Sequence, residues 1–176
     1  MKFKDYLIET TLSRVWKHSS NEEIPITIIT AFRGENTEKN NIQLNKALAA
    51  EIKNAGYGYF FLKGYWIENV GTEYEEKVGE SSIFVVGNEN DNGKLLGLTK
   101  KWIIKYKQEA ALVKRCKTTI FELLSNNGQS KIVGKLKPGV FNDIYSKIRR
   151  GNRTFIFENI VNLPGNWFST LVNNGG

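Results

Sequence analysis

The sequence predicts a single domain of the α/β or α+β class, a sandwich built on a mixed sheet. Three observations lead there. The 176 residues, 40% of them hydrophobic, suffice for one compact core and fall short of two. An apolar, largely β-branched run at Ile26–Phe32 passes through a polar turn into an amphipathic segment, a central strand-turn-helix over 26–55. Strand-like and helix-like patterns then alternate as far as Val113, after which antiparallel strands dominate the C-terminal half. Residues 1–20 thus read as an N-terminal helical segment, 26–113 as an α/β core and 114–176 as a basic, β-rich extension.

In chain order, Phe3, Tyr6, Leu7, Leu12, Val15 and Trp16 recur at helical spacing, a helix broken near Thr10 and Thr11 that packs outside the core. His18 follows in a polar stretch and reads as ordinary surface. The run at 26–32 suits a strand covered on both faces. Asn36, Thr37, Asn40 and Asn41 are all candidate caps for the next helix, and Gly56 stands where a left-handed residue would end it. Tyr57–Trp66 reads as a second strand, the acidic stretch from Glu68 to Glu80 as a loop, and Ser82–Gly87 as a third strand. Asn88–Gly93 is a turn, and Leu95, Leu98, Thr99, Trp102, Ile103 and Tyr106 give a second amphipathic helix over Lys94–Lys107. Ala110–Val113 is a short strand; Thr118–Leu124 and Ser130–Leu136 form a hairpin around Asn126-Asn127-Gly128. Pro138-Gly139 ends it, Val140–Arg149 reads as a short helix and Thr154–Ile160 as a last strand.

Composition excludes some chemistry. Cys116 is the single cysteine and His18 the single histidine, so there is neither an internal disulfide nor a thiolate or imidazole zinc set. Cys116 itself reads as a packing residue. Charges at Lys2, Lys4, Asp5 and Glu9 interrupt any signal-peptide core, and no apolar run reaches the length of a membrane span, so the expectation is a cytoplasmic protein with no membrane partner. No cofactor and no metal are expected.

The clustered polar chemistry lies in the strand-turn-helix. Asn41 and Asn45 share the helix face that carries Leu48 and Ile52, so two amides point inward beside the strand end. Either the turn backbone satisfies them or a ligand does. Arg33, just past the apolar strand, is suited to grip a carboxylate or phosphate. Charge points to a second surface: residues 100–153 hold 14 of the 25 Lys and Arg but only 3 of the 18 Asp and Glu. Lys114, Arg115, Lys117, Lys131, Lys135, Arg149, Arg150 and Arg153 alternate with apolar residues, a pattern expected to bind a polyanion.

Ile29-Thr30-Ala31-Phe32, Asn41 and Asn45 four apart, Leu48, Gly56, Gly64, Glu68, Glu80-x-Ser82 before Val85, and Gln108 together resemble a family of small bacterial and phage proteins catalogued only as a domain of unknown function. The resemblance covers about residues 26–113. It implies a shared fold, a phage or bacterial setting and no activity to borrow. This chain departs from the family pattern at Arg33, where Asn is usual, and at Ser81, where Pro is usual. Thr30, Arg33, Asn41, Asn45, Glu80, Ser82 and Gln108 make up the expected ligand-binding set, a pocket suited to a base and a phosphate.

The sequence therefore favours an accessory protein that binds nucleic acid or a nucleotide signal without catalysis, in a counter-defence or host-takeover role. The alternatives are an enzyme of nucleotide or phosphodiester chemistry centred on Arg33, Glu80 and Gln108, and an inhibitor that occupies the nucleic-acid-binding surface of a host protein. Against catalysis stand the missing Gly-rich phosphate loop, carboxylate pair and His-containing triad.

Overall fold

The computed structural model describes residues 14–68, 71–135 and 154–156, excluding the side chains of 63–68, 77–79 and 154–156. Residues 14–19 are helical (α1). Then come β1 (Ile26–Ile29), α2 (Glu38–Asn54), β2 (Gly58–Glu68), β3 (Glu76–Val86), α3 (Lys94–Lys105), β4 (Ala110–Lys114), β5 (Ile120–Ser125), β6 (Ser130–Lys135) and β7 (Thr154–Ile156). The expected helix at Val140–Arg149, the Pro138-Gly139 break and the last four residues of the expected strand lie outside the described residues.

The strands form one sheet in the order β6-β5-β4-β1-β3-β2-β7, and every pairing in it is antiparallel. The α/β class holds; the mixed sheet does not. The crossover through α2 does return β2 in the direction of β1, but β3 folds back from β2 as a hairpin and fills the place between them. Alternating strands and helices set strand direction, whereas adjacency was decided by the 11-pair β2–β3 ladder. That ladder also absorbs part of the acidic stretch expected as a loop. Glu76 pairs with Glu68, so the acidic stretch from Glu76 on is strand, while residues 71–75 are exposed.

One face of the sheet carries Ile29, Ile83, Val85, Ala111, Val113 and Leu124 against Leu48, Ala49 and Ile52 of α2 and Leu95, Trp102 and Ile103 of α3. Each large apolar side chain among them contributes about 1.5–3 kcal/mol by leaving water. The opposite face carries Ile26, Ile28, Phe84, Leu112 and Phe121, equally buried. Its cover comes from α1 and the chain after it: Arg14 lies 4.6 Å over the Phe60 ring, the His18 ring 6.5 Å from Phe84, and Val15 and Ile24 are buried. Helix α1 thus belongs to the core rather than outside it, because a strand buried on both faces needs a layer on each side; residues 1–13 of the expected helical segment, with its break near Thr10 and Thr11, lie outside the described residues. His18 is half-buried rather than free surface, and burial, followed by the charges of Arg14 and Lys17, holds its imidazole below its ordinary pKa.

Local caps close the two long helices. Thr37 caps α2, its hydroxyl accepting from the Asn40 N–H at 3.2 Å. At the other end Gly56, with φ +91°, donates to the Lys53 carbonyl and Tyr57 to that of Ile52, a Schellman ending. Helix α3 ends the same way without a glycine. Lys107 takes φ +52°, donates to Ile104, and passes the chain to Gln108, which donates to Ile103 at 2.8 Å.

Candidate functional site

The turn after β1 is held by side chains from three directions. Asn45 accepts from the Ala31 N–H at 2.7 Å and donates to the Ser81 carbonyl at 2.6 Å, joining the turn to β3. Asn41 accepts from Arg33 N–H at 2.9 Å and donates to the carbonyl of the same residue at 3.0 Å. Gln108, delivered by the ending of α3, donates to the Phe32 carbonyl and to that of Tyr106, both at 3.1 Å. Thr30 donates to the Ser81 carbonyl at 2.9 Å and accepts from Phe32 N–H at 3.1 Å. Three consecutive residues, Ala31, Phe32 and Arg33, thus have main-chain atoms fixed by side chains.

The fold brings the expected ligand-binding set together at this end of β1. Thr30, Asn41, Asn45 and Gln108 spend the hydrogen bonds just described on backbone. Ser82 is buried on β3, and Glu80, half-exposed, sits opposite Gly64 one residue from the carbonyl that Thr30 and Asn45 share. Arg33 carries its main chain on Asn41 and pairs its guanidinium with Glu35. Reading the sequence misses Glu35; its signal is an acid two residues beyond an arginine on a short turn. It also misses the Ser81 carbonyl, which no side-chain pattern announces.

A second feature lies at the opposite end of β1. A cleft of about 340 Å³ opens between Pro25–Thr27, the Asn90–Leu96 segment at the start of α3, and Val113–Lys117. Cys116 lines it, half-buried. Asp91 organises its rim, accepting from Leu95 N–H at 2.7 Å and from the Tyr57 hydroxyl at 2.5 Å. The sequence marks Asn88–Gly93 only as a turn.

Of the described residues in the expected basic surface, Lys114 does not face solvent. Lys114 is 1% exposed, and its ammonium donates to the carbonyls of Ile24 (2.5 Å), Asn21 (2.8 Å) and Thr118 (3.2 Å). Burial lowers its pKa, with opposing contributions from Cys116 and Glu22. Arg115 pairs with Glu122 at 2.6 Å. Lys117, Lys131 and Lys135 are exposed, whereas Arg149, Arg150 and Arg153 lie outside the described residues. Among the described residues no helix is long and apolar enough to cross a membrane.

The sequence model of the S-adenosylmethionine lyase family matches residues 27–159. Among solved structures, a phage SAM lyase in complex with S-methyl-5′-thioadenosine aligns with 65% of this chain and 92% of its own, at 17% identity and a TM-score of 0.33. No curated protein matches. The family match corrects the resemblance to a domain of unknown function, since the matched family is named for an activity. It also overturns the reading of a non-catalytic binder of nucleic acid, of a nucleotide signal or of a host protein, because that activity is on a small molecule. The match runs from the second residue of β1 to beyond β7, well over half the sequence, and so the chain belongs to the S-adenosylmethionine lyase family.

Proposed function

We propose that the protein cleaves S-adenosylmethionine as a lyase, with the substrate bound at the turn-end of β1. The family match over residues 27–159 carries this reading, for it takes in all seven residues gathered at that end and all but the first residue of the described strands. The chemistry also suits the residues present. The substrate's sulfur is a sulfonium, which departs with the bonding electron pair as a neutral thioether; the carbon fragment closes on itself or loses a proton, and no water is consumed. Such a reaction asks for orientation more than for an enzymic nucleophile. Thr30, Asn41, Asn45 and Gln108 supply a rigid platform, Ser82 a buried hydroxyl, Arg33 a guanidinium, and Glu80 a carboxylate attractive to a sulfonium.

Incubating the protein with S-adenosylmethionine should yield S-methyl-5′-thioadenosine in step with substrate loss, followed by chromatography and mass spectrometry. Glu80→Gln should lower kcat/KM by roughly tenfold or more, the loss of one charge-assisted contact. Formation of S-adenosylhomocysteine, or no consumption at all, would sink the proposal. One observation favours a second location: the cleft beside Asp91 has a volume within the range of small-molecule sites, about 300–1,000 Å³. Leu96→Trp fills that cleft and should leave turnover unchanged; abolished turnover would move the site there.

A further inference from the structure

The Arg33–Glu35 pair is poorly explained by stability. Glu35 is 59% exposed and Arg33 30%, and ion pairs this wet are screened and contribute little to folding. Yet the residue that carries the guanidinium is among the most firmly anchored on the turn. Both main-chain polar atoms of Arg33 are tied to one amide, that of the buried Asn41, and the residues before it are tied to Gln108 and Asn45. A fixed backbone shortens the list of places where the guanidinium can be. Two residues on, the same turn presents a carboxylate.

An α-amino acid end carries a carboxylate and an ammonium on one carbon, a close pair of opposite charges. Resting on the reading of the protein as a lyase, we infer that Arg33 and Glu35 receive the zwitterionic amino-acid end of S-adenosylmethionine, the guanidinium taking its carboxylate and Glu35 its ammonium. In the free protein the two side chains satisfy each other, so neither charge waits unpaired for the substrate. The guanidinium fork fits a carboxylate better than a lysine would. The pair also separates substrate from product: S-methyl-5′-thioadenosine has neither charge, so once the carbon–sulfur bond is broken nothing on the nucleoside holds it to this turn.

The test compares the wild type with Arg33→Met and Glu35→Gln. KM for S-adenosylmethionine should rise about 10- to 100-fold in Arg33→Met and less in Glu35→Gln. The Kd for S-methyl-5′-thioadenosine, read by calorimetry, should stay put, and so should the melting temperature, since the Asn41 bonds to residue 33 are main-chain. Decarboxylated S-adenosylmethionine should be a poor substrate for the wild type and no poorer for Arg33→Met. Wild-type turnover with an unchanged KM in both variants would overturn the assignment of the pair alone, as would KM and product Kd rising together. A wild type that leaves S-adenosylmethionine intact would overturn the lyase reading and this assignment with it.

Discussion

A backbone N–H taken out of water must find an acceptor, and Asn45 is the acceptor for Ala31, which is fully buried. Truncating Asn45 to Ala orphans that N–H and takes a partner from the Ser81 carbonyl, at about 1–3 kcal/mol for each group left unsatisfied. Thermal unfolding of Asn45→Ala should show a loss of several degrees, given roughly 2–4 °C per kcal/mol for a chain of this size. Asn41→Ala should lose less, because Asn41 is 7% exposed against 3% for Asn45 and serves residue 33 at the rim, where water can replace it. An Asn45→Ala protein as stable as the wild type would show that the amide does not hold the turn.

Helix α3 is joined to the rest of the fold by contacts that titrate. The Tyr57 hydroxyl, just before β2, donates to Asp91 ahead of α3, and the Tyr106 hydroxyl at its end donates to Glu51 of α2 at 2.6 Å. Burial first, then the hydrogen bond and charge of the carboxylate, raise each phenol well above its ordinary 10.0. For Glu51 burial acts to raise the pKa, but the bonds from Lys105 and Tyr106 outweigh it and the net shift is downward. A raised tyrosine makes the folded state the better proton binder above the unfolded value. Its contribution is therefore present below about pH 10 and lost as pH climbs toward the folded value. Tyr57→Phe should cost about 1 kcal/mol at neutral pH, and its melting temperature should fall less steeply than that of the wild type above about pH 10. Parallel alkaline slopes for the two proteins would count against the Tyr57–Asp91 bond.

At the scale of the molecule, a formal net charge of +7 meets a substrate that, on the proposed reading, is itself a cation: sulfonium and ammonium against one carboxylate. Like charges slow encounter slightly, and salt screens them. The expected outcome is a kcat/KM for S-adenosylmethionine that rises, by less than about twofold, from low to physiological ionic strength. A steep fall with salt would instead mean that carboxylates near the site attract the cation more than the net charge repels it.

What the sequence determined by itself was local. Residue spacing located the strands and the inward faces of α2 and α3, and Gly56 marked the end of α2, because periodicity and backbone preference act within a few residues. It also put Asn41 and Asn45 on the inward side, next to Arg33. What bonds those amides make was settled only in three dimensions, since the partners of Asn45 lie 14 and 36 residues away and those of Gln108 include one 76 residues away. The same holds for Lys114. A lysine in a basic run reads as surface, and its burial arose from a chain segment 90 residues earlier laying its carbonyls over the sheet. Strand order was likewise tertiary: β3 could separate β1 from β2 only because a long hairpin ladder outweighed adjacency along the chain, and that contest of pairings leaves no mark in either strand alone.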